Sequence, residues 1–120
     1  MYNIRFYRDR SGKQPVKEYM RELANTKGKD ARIKLNKIGD YIQLLAENGA
    51  TMGEPYMKHI EGDIWELRPL SERIFFVAWT GRSYVLLHAF HKKSQNTPER
   101  EKAQARRELK DLKERGFDDE

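Results

Sequence analysis

Apolar residues near the start of the chain change from alternating to helical spacing. Between Tyr2 and Arg8 apolar and polar residues alternate, which is typical of a β-strand with one buried face. A turn segment follows, and Pro15 then stands where a helix tolerates proline, at its first position. Apolar residues recur at spacings of three and four as far as Leu23, so the pattern predicts a helix from about Pro15 to about Ala24.

A second, longer helix is indicated by an apolar stripe consisting of Leu35, Ile38, Ile42 and Leu45. Asp30 is the expected N-cap, and Asn48-Gly49 is the expected end. Gly39 weakens the helix by roughly 1 kcal/mol relative to alanine. A close contact between helices at this position would explain why the residue is glycine. The short link between the two helices predicts an antiparallel helical hairpin.

The second half of the chain is predicted to contain a loop, three strands and a helix. Residues 51–63, rich in glycine and proline, are expected to form the loop. Strands are predicted over residues 64–70, 73–80 and 83–91, joined by tight turns into an antiparallel meander. Thr97 should cap the last helix and Pro98 should begin it, with a thin apolar face consisting of Ala105, Leu109 and Leu112.

This order of elements predicts one α+β domain over residues 1–120. Its sheet should be mostly antiparallel, with the N-terminal strand at an edge, the helical hairpin on one face and a C-terminal helix. Large apolar residues occur on both sides of the predicted strands, so both faces of the sheet are expected to be covered. In the last strand, alternation places Tyr84, Leu86, His88 and Phe90 on one face.

The amino-acid composition limits the kinds of site, the cellular location and the partners to be expected. Cysteine is absent, which excludes disulfides and thiolate metal sites. We find neither an apolar run of membrane-spanning length nor a secretory signal, so a cytoplasmic protein is expected. The net charge of +5 favours a polyanionic partner, and basic residues are frequent from Lys92 to Arg115 before the tail reverses to Asp118-Asp119-Glu120.

Two arginines near a predicted hairpin are the first candidates for chemistry. Arg68 and Arg73 have two interpretations: ion pairs with Glu66 and Glu72, or a pair of guanidiniums that grip phosphate oxygens. Strand alternation does not decide whether the two side chains converge.

The segment from His88 to Pro98 leaves a strand, turns and enters a helix. His91 is either an exposed loop residue or a catalytic group, and both interpretations are equally supported. Lys92 and Lys93 form either a solvated turn or an anion site before a helix. His88 is expected to pack within its strand and to bond to the backbone.

Other candidates have simpler explanations beside the functional one. Lys58 and His59 are either ordinary loop residues or further contacts to an anionic partner, and Arg106 and Arg107 belong to a positive stripe typical of a solvated helix face. Tyr56, Trp65 and Tyr84 can stack on bases, although core packing is the commoner role of aromatic residues. No metal-binding spacing or glycine-rich phosphate loop is found, so neither metal nor cofactor is expected.

Three motifs resemble a known group of proteins: Trp65-Glu66-Leu67-Arg68, Arg73-Ile74-Phe75-Phe76, and the long run Leu86-Leu87-His88-Ala89-Phe90-His91-Lys92-Lys93-Ser94-Gln95-Asn96-Thr97-Pro98. The chain resembles the RelE/ParE superfamily of type II toxins, and within it the HigB-like, phage-related Gp49-like branch. The resemblance covers nearly the whole chain, and the third motif is the most specific.

The resemblance implies a RelE-like α+β fold and a ribosome-dependent mRNA endonuclease that works without a metal. The 2′-hydroxyl of a ribose would attack the adjacent phosphate. Catalytic roles would belong to Arg68, Arg73, His91 and Lys93, with RNA contacts from Lys58, His59, Lys92, Arg106 and Arg107. Some relatives carry a tyrosine or histidine base near the C-terminus. Residues 116–120 supply neither, which leaves the base unassigned.

The resemblance also implies partners. These are a cognate helix-turn-helix antitoxin, in a heterotetramer of two toxins and two antitoxins, the ribosome with its mRNA, and operator DNA reached through the antitoxin. The alternative is a ParE-like inhibitor of DNA gyrase without nuclease activity. A third possibility, an inactive binding module or phage relic, is disfavoured by the intact Arg68, Arg73 and Lys93.

Overall fold

The computed structural model describes residues 1–117. Their elements, in chain order, are β1 (Asn3–Phe6), α1 (Pro15–Asn25), α2 (Lys29–Asn48), a 3₁₀ helix (Gly49–Met52), β2 (Met57–Glu61), β3 (Ile64–Leu67), β4 (Glu72–Trp79), β5 (Ser83–His91) and α3 (Glu99–Arg115). One sheet has the order β1-β5-β4-β3-β2, in which β1 runs parallel to β5 and the other pairs are antiparallel. The α+β class is confirmed. Asp118-Asp119-Glu120, the predicted acidic tail, lies outside the described residues.

The sheet is covered on both faces, as the sequence predicts. On one face the hairpin of α1 and α2 packs against a core that includes Ile38, Leu45, Ile74 and Phe76. On the other face α3 packs through Ala105 and Leu112 onto Phe75, Val77, Val85 and Leu87. Burial of each large apolar side chain contributes about 1.5–3 kcal/mol, so α3 and the hairpin are both held by the sheet. None of the helices in residues 1–117 has the length and apolar character needed to cross a membrane.

The predicted loop over residues 51–63 is partly wrong, because it contains the strand β2. This strand pairs with β3 through Met57 opposite Leu67 and Lys58 opposite Glu66. Lys58 and His59 are both exposed, since β2 is the edge of the sheet. The alternation that reveals a half-buried strand is therefore weak here, and the flanking glycine and proline residues favour a loop by local rules.

The alternation predicted for β5 is wrong beyond Leu86. Phe76 pairs with Leu86 and Phe75 pairs with His88, so Leu87 is an additional residue in β5. A β-bulge of this kind reverses the facing of every residue that follows it. Phe90 consequently joins the core under α3, and Ala89 joins the core under the helical hairpin.

Two predicted helix caps are also wrong. The residue before α2 is Gly28, whose φ of 113° lies in the left-handed region, and Asp30 sits inside the first turn, 3.3 Å from Lys34 Nζ. Acidic residues are favourable there because the helix N-terminus is positive. Thr97 lies outside α3, whose N-cap is Pro98.

The contact expected at Gly39 is absent from the described residues. A Cβ added at this exposed position would meet nothing within 4 Å. Helix packing therefore does not explain why this position is glycine.

Candidate nucleic-acid interface

Basic side chains from three segments meet at one end of the sheet. Arg68 follows β3, Arg73 lies in β4, and Lys92 and Lys93 follow β5. With Ser71, Ser94 and Gln95 they line an open cavity of about 450 Å³, here called the basic cavity. None of the described residues that line it is acidic. The structure thus brings together Arg68, Arg73 and Lys93, three of the residues predicted to be catalytic.

The turn between β3 and β4 positions Arg73. Nη1 of Arg73 donates hydrogen bonds of 2.8 Å to the carbonyl oxygens of Leu70 and Glu72. Leu70 has a φ of 57°, a left-handed conformation that costs a non-glycine residue roughly 1–2 kcal/mol. The backbone N–H of Lys92 donates to the Ser71 carbonyl at 2.7 Å, which ties the exit of β5 to the same turn.

Both arginines share one carboxylate. Oε1 of Glu66, which is 1% exposed, lies 3.2 Å from Arg73 Nε and 3.6 Å from Arg68 Nε. Neither buried Nε has a well-aligned hydrogen-bond partner. The predicted ion pairs are therefore confirmed for Glu66, whereas the Glu72 side chain binds Tyr19 and His91 instead. The carboxylates that act on Arg73 are those of Glu66 and Glu72, and the cations of the basic cavity (Arg68, Arg73, Lys92 and Lys93) outnumber them, which leaves surplus positive charge.

Burial and the surplus charge together change the proton affinity of the Lys92 amine, which is partly buried. Burial is the main cause that lowers the pKa of its amine, and the nearby cations Arg73, Arg68 and Lys58 lower it further against the opposing effect of Glu66. The pKa of Arg73 is also lowered, mainly by burial. A lysine with a lowered pKa is neutral more often near neutral pH and can then accept a proton.

Lys58 belongs to the same cluster, because it faces Glu66 across the β2–β3 ladder and influences Lys92. His59 does not. It lies opposite Trp65, and its Nε2 is 2.8 Å from the Gly62 carbonyl oxygen.

His91 is held on the other face of the sheet. Its Nδ1 lies 2.7 Å from Oε2 of Glu72, and the hydroxyl of Tyr19 from α1 donates to the other oxygen of the same carboxylate. Burial and this bond raise the pKa of the Tyr19 hydroxyl. His91 is not among the residues that line the basic cavity, so the structure does not bring it together with Arg68 and Arg73.

The two arginines of α3 that were predicted to contact RNA, Arg106 and Arg107, lie elsewhere. Arg106 makes two bonds of 2.7 and 2.8 Å to the carboxylate of Glu61 and a third of 2.7 Å to Glu99. These carboxylates raise the pKa of Arg106. Arg107 is exposed and donates to Gln104. Neither arginine lines the basic cavity.

The prediction that His88 bonds to the backbone is wrong. Its Nε2 lies 2.6 Å from Oε1 of Glu101 on α3, and its ring stacks on Phe90 with centroids 6.0 Å apart. The bulge at Leu87 explains this, because it turns His88 toward α3. His88 thus anchors the C-terminal helix.

An aromatic pair beside the arginines was only half predicted. The rings of Tyr41 and Tyr56 meet edge to face with centroids 5.5 Å apart. The N–H of Arg68 donates to the Tyr56 carbonyl at 3.0 Å, and Tyr41 lies within electrostatic range of Arg73. Tyr56 was predicted as a stacking candidate, whereas Tyr41, which lies in α2, was not.

The other two stacking candidates serve the core. Tyr84 is buried and its hydroxyl accepts a hydrogen bond from the N–H of Ala50, while Trp65 packs against the core under the hairpin. Across residues 1–117, no three side chains among His, Cys, Asp and Glu are grouped as a metal ion would require.

Comparison with known proteins gives one finding on family. No curated protein matches the chain. The family model described as Phage derived protein Gp49-like (DUF891) matches residues 18–110, which include the motifs around Arg68, Arg73 and Lys92. This family is associated with the toxins of toxin–antitoxin systems. Because the match covers more than half of the sequence, the chain belongs to the Phage derived protein Gp49-like family, which is related to the RelE and HigB toxins.

Proposed function

We propose that the chain is the toxin of a type II toxin–antitoxin system, a HigB-like member of the RelE/ParE superfamily that cleaves mRNA on the ribosome. The observation that carries the proposal is the basic cavity, where Arg68, Arg73 and Lys92 gather around the single buried carboxylate of Glu66. The surplus positive charge suits a phosphodiester, and the family's association with toxins supports the biological role.

The reaction proposed is an internal transfer at phosphorus. The 2′-oxygen of a ribose bonds to the adjacent phosphorus while the bond from phosphorus to the 5′-oxygen of the next nucleotide breaks. The products are a 2′,3′-cyclic phosphate and a 5′-hydroxyl. Arg68 and Arg73 bind the non-bridging oxygens and stabilise the negative charge that grows on them in the transition state.

The proton transfers are proposed for the two lysines of the basic cavity. Lys92 in its neutral form accepts the proton of the 2′-hydroxyl, which its lowered pKa supports. The ammonium of Lys93 donates a proton to the departing 5′-oxygen, so protons balance over the step. The role predicted for His91 stays a prediction, since Glu72 holds its ring on the opposite face.

RNA binding is proposed to extend from the basic cavity over Lys58 and the tyrosine pair. Lys58 adds a phosphate contact, and the exposed ring of Tyr56 supplies a stacking surface for a base. A base stacked on an aromatic side chain contributes about 1–3 kcal/mol. The RNA contacts predicted for His59, Arg106 and Arg107 are not part of this proposal, because these residues lie apart from the basic cavity.

The biological setting is also proposed. A cognate helix-turn-helix antitoxin, in a complex of two toxins and two antitoxins, would neutralise the toxin in the cytoplasm and link it to operator DNA. The association of the family with toxin–antitoxin systems supports a partner of this kind.

Primer extension on a reporter mRNA tests the function, after brief induction of the wild type, Arg73→Ala and the control Arg106→Ala. We expect cuts that require translation in the wild type and the control, and none in Arg73→Ala. Growth arrest with intact mRNA would contradict the proposal. A gyrase supercoiling assay would then test the alternative.

A further inference from the structure

The stretch from Lys27 to Lys37 carries most of the net positive charge of the chain. It contains five basic residues and one acidic residue, a net charge of +4, against +5 for the whole sequence. The stretch begins two residues before α2 and covers nearly the first half of that helix. A surface with so much charge of one sign attracts polyanions.

Most cations of this stretch lack an acidic partner. Lys34 is the exception, since its Nζ lies 3.3 Å from the carboxylate of Asp30. The other four are exposed and take part in none of the ion pairs or side-chain hydrogen bonds within residues 1–117; here called the α2 basic surface, they are Lys27, Lys29, Arg32 and Lys37. Asp40, further along α2, is exposed and forms no ion pair with them. An anionic ligand therefore displaces no acid of the chain when it binds here.

The α2 basic surface continues into the basic cavity through the tyrosine pair. Lys37 and Tyr41 are four residues apart on α2, so their side chains are neighbours on the helix surface. Tyr41 meets Tyr56 edge to face and lies within electrostatic range of Arg73. With a rise of about 1.5 Å per residue, Lys29 lies about 18 Å from Tyr41 along the helix axis. Exposed cations, aromatic rings and the basic cavity thus follow one another along the surface.

From this arrangement we propose that the α2 basic surface binds the phosphate backbone of single-stranded RNA, in continuation of the strand held in the basic cavity. The inference rests on the proposed function in one respect, that the basic cavity holds RNA. A base next to the bound phosphodiester would stack on the tyrosine pair, and the phosphates beyond it would lie along Lys37, Arg32 and Lys29. Proteins bind single-stranded RNA through this combination of basic and aromatic side chains.

Two other anionic partners fit the α2 basic surface less well. A helix that binds an anionic membrane buries an apolar face in it, whereas Ile33 is the one large apolar side chain of this stretch that is exposed among the described residues. An acidic peptide would satisfy the cations but would use neither the tyrosine rings nor the arginines beyond them. RNA carries a phosphate and a base in each nucleotide, so it can use all of these groups.

The test uses the full chain and a fluorescein-labelled RNA strand of twelve nucleotides whose riboses are all 2′-O-methylated, so that it cannot be cleaved. Fluorescence anisotropy at low salt gives its affinity for the wild type, for Arg32→Gln/Lys37→Gln and for the control Lys110→Gln/Lys113→Gln. The control removes the same charge from exposed positions of α3. We expect the α2 variant to bind at least about fivefold more weakly, with a shallower dependence on salt, and the control to change by less than about twofold.

A strand of two nucleotides separates a continued RNA path from general charge attraction. Its single phosphodiester should occupy the basic cavity alone, so NMR titration should give the wild type and Arg32→Gln/Lys37→Gln affinities within about twofold of each other. The charge-conserving variant Arg32→Lys/Lys37→Arg should bind the twelve-nucleotide strand as the wild type does, which shows that charge and not helix packing is responsible.

Three outcomes would overturn the inference. These are no binding of the twelve-nucleotide strand, equal binding of it by the wild type and Arg32→Gln/Lys37→Gln, or equal weakening of the long and the short strand in this variant. Vesicles of anionic phospholipid or a poly-glutamate peptide that depend on Arg32 and Lys37 while RNA does not would likewise overturn it, and would identify a membrane or an acidic protein as the partner.

Failure of the inference can be told apart from failure of the proposed function. Cleavage of reporter mRNA by a wild type whose RNA binding does not depend on Arg32 and Lys37 would contradict the inference alone. Binding that depends on these residues, with reporter mRNA left intact, would contradict the proposed cleavage and support the RNA path along α2.

Discussion

Two basic regions of this protein use the same residue types in opposite ways. Along α3, Arg106 is held by Glu61 and Glu99, Arg115 by Asp111, and Lys113 Nζ lies 3.1 Å from Asp63. In the basic cavity, Arg68 and Arg73 share the one carboxylate of Glu66. Several cations on α3 therefore have acidic partners of their own, whereas two arginines of the basic cavity share one.

The difference shows why a count of basic residues along the chain is a poor guide to a binding site. The stretch after residue 92 is rich in lysine and arginine, yet much of its charge is matched by acids brought near by folding. A ligand anion gains most where cations outnumber the nearby acids and are partly removed from water. This condition is met at the basic cavity, where burial and like charges lower the pKa values of Arg73 and Lys92.

The largest difference in mRNA cleavage should be seen between variants that lose an arginine of the basic cavity and a variant that loses an arginine of α3. We expect Arg68→Ala or Arg73→Ala to lower the rate of mRNA cleavage by about 10²–10³-fold, because each removes a donor to the charged transition state. Arg106→Ala should stay within about twofold. Cleavage of reporter mRNA in a purified translation system measures this.

Arg73 is buried and bonded to the turn, so Arg73→Ala needs a control for folding. Arg73→Lys keeps the charge and loses the forked geometry, and should still lower cleavage by at least about tenfold. Equal activity of Arg68→Ala, Arg73→Lys and the wild type would contradict the assignment.

The pH dependence of cleavage should come from Lys92. A lysine base acts when neutral, so the rate should rise with pH, and the lowered pKa places this rise below the pH expected for an ordinary lysine. Lys92→Arg keeps a positive charge that cannot be removed, so we expect a loss of about 100-fold and a flat profile. The control Lys110→Arg should keep the wild-type profile, and an unchanged profile in Lys92→Arg would exclude Lys92 as the base.

Glu108 contrasts with the arginines of the basic cavity, because it is an acidic side chain of α3 that is buried with few cations nearby. Burial is the main cause that raises its pKa to about 8, and one of its oxygens has no hydrogen-bond partner in the structure. The carboxyl group of Glu108 therefore holds its proton more tightly in the folded state than in the unfolded state, where its pKa has the ordinary value of 4.5. Stability should therefore be full below about pH 4.5 and should fall as the pH rises toward 8.

Glu108→Gln removes that loss. We expect the variant to exceed the wild type by about 1–3 kcal/mol in free energy of unfolding at pH 8, with the gap closing at pH 4.5. Urea unfolding at both pH values measures it, with the exposed Glu114→Gln as control. A gap that widens toward low pH would contradict the sign.

The smallest expected effect is that of Arg106→Ala on the stability of the fold. Of its partners, Glu99 is exposed and Glu61 is partly exposed, and ion pairs at such surface positions contribute little because water and salt screen them. We expect Arg106→Ala to melt close to the wild type, with any difference vanishing in 0.5 M salt. A large drop in melting temperature that does not depend on salt would contradict this expectation, because it would mean that the ion pairs of Arg106 stabilise the fold.

Much of the fold could be predicted from the sequence, because β4, β5 and the hairpin carry strong hydrophobic patterns. The strand β5 was predicted over its observed range, Ser83–His91. The strand β2 was missed because its residues are mostly exposed. The bulge at Leu87 leaves no mark on composition, and it reversed the predicted facing of His88 and Phe90.

The sequence predicted which basic side chains come together at the candidate site, and it predicted their geometry less well. Arg68, Arg73 and Lys93 do line one cavity. The shared carboxylate of Glu66 and the lowered pKa of Lys92 depend on burial and on contacts across strands, which spacing along the chain does not reveal. His91 is the last residue of β5, directly before Lys92, but its side chain lies on the opposite face of the sheet from the basic cavity and contacts Glu72.

The most direct test of the central claim is the chemistry of the RNA ends produced in a purified translation system. The proposed transfer predicts that wild-type protein leaves 2′,3′-cyclic phosphate and 5′-hydroxyl ends on ribosome-bound mRNA, and that Arg68→Ala leaves the mRNA intact while Arg106→Ala does not. Intact mRNA with the wild type, or equal cleavage by Arg68→Ala, would contradict the account.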